Sequence, residues 1–259
     1  MIPADLSGVL LNDAAAMYCA GLLFGFEALM QRRGRAPGQT AGESQADALG
    51  RGAKGRGSGA AAGFRVAVAS CPEAIAEAAR LVERRYAWRG YEATEGASAG
   101  RGSPRANEVT LLARSDAATL GTLTLRLDGP LGLAAERGYG EAVSAARARG
   151  RRVCELTRLA LAERCDWRAV LASLFGLAYA TGRTAHGVTD VFIEVNPRHV
   201  GFYERALGFV VAAGERFCER VKAPSVLLKL ELAELERRLG LEPPAGDGFS
   251  RPRFAALPA

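Results

Sequence analysis

Along the nine residues VCELTRLAL, 153–161, a single carboxylate interrupts an apolar run. Strand alternation sets Val153, Glu155, Thr157 and Leu159 on one side and Cys154, Leu156, Arg158 and Ala160 on the other. A carboxylate in the middle of such a strand is expensive to bury unless it is paired or protonated. Desolvation raises its pKa toward the range useful to a general base, which makes Glu155 the first candidate for proton chemistry. The competing assignment is an ion pair with Arg158 or another arginine. A second candidate follows in TDVFIEVNPRHVGFYERALGF, where six residues separate Asn196 from Tyr203. Asn196 suits a helix N-cap, Pro197 the first helical position and Gly208 the left-handed stop. That grammar sets the phenol of Tyr203 in the first turns of a helix at the C-terminal end of a strand, where open α/β sheets gather their sites. It is there either as a proton donor or as a packed ring with a wet hydroxyl. The two histidines, His186 and His199, have no metal-ligand spacing, and His186 reads as a helix-end residue before Gly187. No metal site is expected.

The chain that must position these groups has 259 residues, 49% of them hydrophobic, enough for one core of about 170 residues with flanks. Residues 34–63 mix glycine, alanine and charge without an apolar period and read as a flexible linker. Before it, an apolar stretch of 13 residues (14–26) lies between Asp13 and Glu27. It is too short to span a membrane and lacks the basic start of a signal peptide. Residues 1–33 are expected to form a helical segment docked on the core, with peripheral contact to a membrane surface or a partner as the alternative. The domain proper is assigned to 64–240, with a tail at 241–259. Five cysteines (Cys19, Cys71, Cys154, Cys165, Cys218) show no C-x-x-C spacing, so a reduced, cytoplasmic chain is expected. The net charge of +6 is almost wholly arginine. Part of it lies in the linker, but Arg147, Arg149, Arg151 and Arg152 precede a core strand as a basic patch that fits an acidic partner. No helix-turn-helix, RNP-like or zinc-finger pattern accompanies the charge, so nucleic acid is not the expected partner.

Periodicity gives a strand at FRVAVA (64–69), a helix at CPEAIAEAARLVERRYAW (71–88), and a hairpin of EVTLLARS and TLGTLTLRLDG joined by SDAA. A helix broken at GYG leads to the strand at 152–161. A long helix over 166–187 and the strand TDVFIEV come next, followed by the short helix carrying Tyr203. Strands at FVVAAGERF and SVLLKLEL then run into the helix AELERRLG. The order βαββαβαβαββ predicts an α/β (α+β) mixed sheet flanked by helices.

RRVCELTRLAL taken together with VLASLFGLAYATGRTAHGVTDVFIEVNPRHVGFYERALGF resembles the GNAT acyltransferase superfamily. Within it, the chain is similar to the FeeM-type N-acyl amino acid synthases, relatives of the acyl-homoserine lactone synthases. The resemblance covers residues 64–232. It implies transfer of a fatty acyl group from a thioester to an amine, with Glu155 of the E-x-x-R strand as base. It also implies that the backbone of Arg158, Leu159, Ala160 and Leu161, with Asn196, holds the pantetheine arm, and that Tyr203 protonates the leaving thiolate. Arg85, Trp88, Glu194 and His199 then fall to the acceptor, Glu194 for its ammonium and His199 for its carboxylate. The competing roles are core packing for the helix 71–88 residues and cover of the strand end for His199.

Coenzyme-A-dependent relatives follow the central strand with a glycine-rich loop whose N–H groups cradle a diphosphate. Here AERCDWRAVLASLFG has no glycine before Gly176. The expected donor is therefore an acyl-phosphopantetheine on an acidic acyl carrier protein meeting the 147–152 patch, with no tightly bound cofactor. The expected product is an N-acyl amino acid, a lipid-like signal or surfactant. The alternatives are a coenzyme-A-dependent acetyltransferase, an acyl-homoserine lactone synthase, and a non-catalytic GNAT-like module that binds an acyl carrier.

Overall fold

A computed structural model describes residues 63–88 and 106–240. The expected N-terminal helix, the linker up to residue 62, the 89–105 loop and the C-terminal tail lie outside these residues.

β1 (Arg65–Val68) leads into α1 (Pro72–Trp88), where Pro72 and Glu73 suit a first turn. The helix buries Ala74, Ala78, Leu81 and Val82, an i, i+4, i+7, i+8 stripe. The hairpin of β2 (Glu108–Arg114) and β3 (Thr119–Leu127) follows, closed by Ser115, whose Oγ accepts from Ala118 N. α2 (Glu136–Ala148) is interrupted at Tyr139 by non-helical backbone, as the GYG break predicts. β4 (Val153–Leu161) is followed by α3 (Trp167–Tyr179), capped by Asp166 and continued by a π-helical turn at Ala180–Ala185. β5 (Asp190–Val195), a 3-10 turn at Pro197–His199 and α4 (Val200–Leu207) complete the strand–helix unit that carries Tyr203. β6 (Val210–Cys218), β7 (Ala223–Glu231) and α5 (Leu232–Leu239) end the described chain.

The seven strands form one sheet in the order β1-β2-β3-β4-β5-β7-β6. Only β4 and β5 pair in parallel, across the α3 crossover. Alternation decides what each face meets. Val109, Leu111, Leu125, Cys154, Ile193 and Leu228 join the core beneath α3, α4 and α5. Val153, Phe192 and Leu227 pack on Tyr139, Val143 and Ala146 of α2, and Ala160 packs on Leu81 and Val82 of α1.

β4 departs from the regular alternation expected of it. Thr124 pairs with Thr157 and Thr122 with Ala160, so three steps on β4 face two on β3. The extra residue is accommodated at Arg158, whose φ of 54° is left-handed. Beyond this bulge the faces exchange: Cys154 and Leu156 face α3 before it, Leu159 and Leu161 after it. No single-sequence pattern marks such a bulge when the residue that takes positive φ is not glycine.

β3 passes close under α3 at Gly121. A Cβ there would lie 2.7 Å from Val170 Cγ1 and 2.9 Å from Leu161 Cδ2. Gly121→Ala is therefore expected to destabilise the fold by about 1–3 kcal/mol through overpacking, read as a lowered urea midpoint at unchanged slope. An unchanged midpoint would mean that Val170 yields freely.

Candidate active site

The parallel ladder between β4 and β5 ends at Leu156↔Ile193, although β4 runs on to Leu161 and β5 to Val195. The strands part there, and a cavity of about 1040 Å³ passes through the opening. Residues from both sides of the split line it, from Thr157 to Ala162 and from Ile193 to Asn196. Because the sheet faces differ, so do its two halves. Toward α3 and α4 the wall is apolar, made by Leu156, Leu171, Phe175, Phe202 and the Tyr203 ring. Toward α1 and α2 it is polar and carries Glu108, Arg126, Thr157, Arg158, Glu194 and Arg220. Burial of an apolar chain and orientation of a polar group are thus separated by one sheet thickness.

Glu155 is fully buried on the polar side, just behind this wall. Its Oε2 accepts from the backbone N–H groups of Ala134 and Ala135 at 2.6 and 3.0 Å, while Oε1 has no hydrogen-bond partner. Burial pushes its pKa up, against the pull of Arg220 and of the two N–H groups. The competing assignment, an ion pair with Arg158, does not form: the bulge turns Arg158 toward Glu108, to which its Nη1 and Nη2 donate at 2.9 and 3.3 Å. Ala134 and Thr157, neighbours of Glu155, line the cavity, whereas Glu155 itself does not.

Tyr203 lines the cavity, its ring edge-on to Phe202 and Phe209 at 5.3 and 5.8 Å. The backbone of Arg158, Leu159, Ala160 and Leu161 runs along the opening. Asn196 does cap the next turn, its Oδ1 accepting from Arg198 N and its Nδ2 donating to Pro224 O, both at 3.3 Å. His199 reaches the wall at that turn and accepts from Arg198 Nε at 3.3 Å. Arg85 reaches the rim, paired with Glu163 at 2.7 Å. Trp88 ends α1, and its side chain lies outside the described residues.

Two assignments change. Glu194 is already engaged: Arg220 Nη2 donates to Oε2 at 2.6 Å and Ser225 Oγ to Oε1 at 2.8 Å. It anchors the wall rather than standing open for an ammonium. The 147–152 arginines do not border the cavity. Arg147 is held by Asp128 and Glu136, both at 2.6 Å, and Arg151 by Asp190 and Glu231 at 2.5 and 3.2 Å. Arg149 and Arg152 are exposed. Spacing could not reveal this, because the acidic partners come from other elements.

Sequence reasoning missed Arg220, in the turn between β6 and β7. Its Nη1 reaches Thr157 Oγ1 at 3.4 Å, so it bridges the two sides of the split. Burial opposes its charge, but Glu194 and Glu155 outweigh that and raise its pKa. Tyr139, at the α2 break, donates to Ser225 O at 2.7 Å and so ties α2 to the same network. The arginine in CERVK was legible as a residue, though nothing in the sequence brings a β6–β7 turn over β4. Among the described residues no cluster could hold a metal, all cysteines are free, and no helix is long and apolar enough to cross a membrane.

The family model for the N-acyl amino acid synthase FeeM matches residues 77–231. No curated protein is significantly similar. Among solved structures, FeeM, an N-acyl amino acid synthase from uncultured soil microbes, superposes with a TM-score of 0.60 at 24% identity, covering 68% of this chain and 93% of that one. An acyl-CoA N-acyltransferase from Pseudomonas aeruginosa gives 0.46 at 14% identity, with 64% and 97% covered. An acetyltransferase of the GNAT family from Streptococcus pneumoniae gives 0.44 at 14%, with 65% and 99% covered. The expected fold class, a GNAT-like mixed sheet flanked by helices, is the one observed.

Proposed function

The chain belongs to the FeeM family of N-acyl amino acid synthases and is an N-acyltransferase, and on that footing we propose that it moves a fatty acyl group from an acyl carrier protein to the amine of an amino acid. The observation that carries this reading is the two-sided cavity through the β4–β5 split, apolar on one face and ionic on the other. The acyl chain lies among Leu156, Leu171 and Phe175, and the acceptor enters from the Thr157 side. In the split, the edge of β4 beyond Leu156 has no β5 ladder, leaving its backbone for the pantetheine arm and the thioester carbonyl.

The amine nitrogen attacks the thioester carbonyl carbon, the tetrahedral intermediate collapses, the C–S bond breaks and the amide forms. One ammonium proton passes through a bridging water to Glu155, whose raised pKa suits the task. The departing thiolate takes a proton from Tyr203, and the phenolate recovers one through solvent from the second proton that the nitrogen sheds as the amide forms.

A carrier-borne donor is favoured by the start of α3. Asp166 places its own carboxylate there, Oδ1 accepting from Arg168 N and Ala169 N at 3.2 and 3.3 Å. These are the N–H groups that a diphosphate would use, and a fixed carboxylate beside them repels one. The exposed Arg164 and Arg168, the latter stacked 4.5 Å over Trp167, adjoin in sequence the cavity-lining Glu163 and Trp167 and suit an acidic carrier better than the 147–152 patch.

Tyr203→Phe keeps the ring contacts and deletes the proton. We expect kcat to fall by about 10²-fold with little change in KM; full activity would leave the tyrosine a packing role. The reading as a whole is tested by mass spectrometry of lipid extracts from cells expressing the chain. New N-acyl amino acids, absent with Glu155→Gln, are expected. Acetylated amines in their place would favour the coenzyme-A-dependent alternative.

A further inference from the structure

The apolar half of the cavity ends at a partition. Leu156 of β4 and Phe175 of α3 line it, and both also line a second cavity of about 30 Å³ between the sheet and the end of α3. Phe209 belongs to the same partition: it lines the second cavity and meets the Tyr203 ring, which lines the first, edge-on at 5.8 Å. One stripe of α3 and its π-helical continuation runs past both spaces. Leu171 lines the main cavity, Phe175 one turn later lines both, and Ala178, Tyr179 and Gly182 line only the second. The small residues Ala178 and Gly182 keep the far space open. A Cβ on Gly182 would stand 3.7 Å from Val188 Cγ2 and 3.8 Å from Leu125 Cδ2, ordinary contact distances. The Tyr179 hydroxyl donates to Glu236 Oε1 at 2.7 Å, and Cys154 is a buried thiol that burial keeps neutral. A buried water needs several polar partners, so this space suits methylene groups better than water.

We propose that Phe175 is the stop that sets the length of the acyl chain, and that the cavity behind it is the continuation a longer chain would use. This deepens the reading above, which lays the acyl chain among Leu156, Leu171 and Phe175, and rests on it. Leu156 belongs to the last rung of the parallel ladder, opposite Ile193, so it flanks the path at the root of the split. Phe175 stands on the α3 stripe that the path follows, and its ring is what separates the two spaces. Each methylene buried before the stop tightens binding by about fourfold, and methylenes beyond it gain no apolar contact. The second cavity is small by itself, but joined to the space of the Phe175 ring it takes further methylene groups.

The test needs no donor and no turnover. Saturated fatty acids lengthened two carbons at a time are titrated against the wild-type protein and read by thermal shift. Affinity is expected to climb by about tenfold per step up to one limiting length and then to level off. In Phe175→Ala that limit is expected to rise by about two carbons or more. Phe175→Leu, which disturbs the core least, should move it in the same direction. Adding Gly182→Ala to Phe175→Ala puts a methyl into the far cavity and should shorten the limit again. No levelling-off in the wild type, a limit unmoved in both Phe175 variants, or a limit that Gly182→Ala leaves where Phe175→Ala put it, overturns the proposal. Failure of the acyltransfer reading has a different signature: the limit moves as expected, yet no carrier-borne acyl group reaches an amino acid.

Discussion

In Glu155→Gln, kcat is expected to fall by about 10²–10⁴-fold in a protein that still folds. Glutamine keeps the volume and offers one oxygen to Ala134 N and Ala135 N, so the 133–135 loop stays anchored. What disappears is the ability to take a proton. The pH dependence distinguishes a base from a mere clamp. Burial favours the neutral form of Glu155, so its pKa in the folded protein lies above that of an ordinary glutamate. In the wild type, kcat/KM should fall as pH drops through that raised value, and this acid limb should be missing from the residual activity of the variant. Stability gives an independent sign. Below the ordinary glutamate pKa both states hold the proton. As pH rises above it the unfolded chain ionises first, so the wild type loses stability until its own raised pKa is passed. Glu155→Gln lacks that loss and should gain relative stability across the same window. Equal turnover and parallel pH profiles would confine Glu155 to holding the loop.

Arg220→Met is the substitution with the largest expected effect on stability within the site, about 3 kcal/mol. That is the low end of the range for broken buried pairs, because the Arg220 side chain is 26% exposed. It leaves the Glu194 carboxylate, 8% exposed, without a cation, held only by the neutral Ser225 and Cys218 side chains, and releases Thr157 from the β6–β7 turn. Chemical denaturation should show the loss, and Arg220→Met/Glu194→Gln should recover much of it, since the uncompensated charge is then gone. Activity should not return with stability, because the bridge across the split is still absent. If the double variant were no more stable than the single, the penalty would come from packing of the Arg220 stem and not from Glu194.

The elements were legible because their periodicities are local. The α1 stripe, the β2–β3 hairpin, the break at Gly138–Gly140 and the Asn196-to-Gly208 grammar each lie within one stretch of chain. Glu155 stood out for the same reason, as one carboxylate in an apolar strand. The site itself depends on contacts between distant segments. The bulge at Arg158 reverses the face of every later β4 residue. Glu108, 50 residues away in sequence, takes the arginine that adjacency had suggested for Glu155. The Arg147 and Arg151 patch dissolves into ion pairs with partners from other elements. Arg220 enters from a hairpin whose position over β4 is fixed only by the sheet order. Charge runs are visible in a sequence, but their pairing is decided by packing.

The most direct test of the central claim is a comparison of donors with purified protein. One fatty acyl group is presented on an acyl carrier protein and on coenzyme A, with the twenty amino acids as acceptors, and products are read by mass spectrometry. The account predicts an N-acyl amino acid formed from the carrier-borne donor with kcat/KM at least tenfold above that for the coenzyme A thioester. Equal or better use of the coenzyme A thioester, or transfer only to amines that carry no carboxylate, would contradict it.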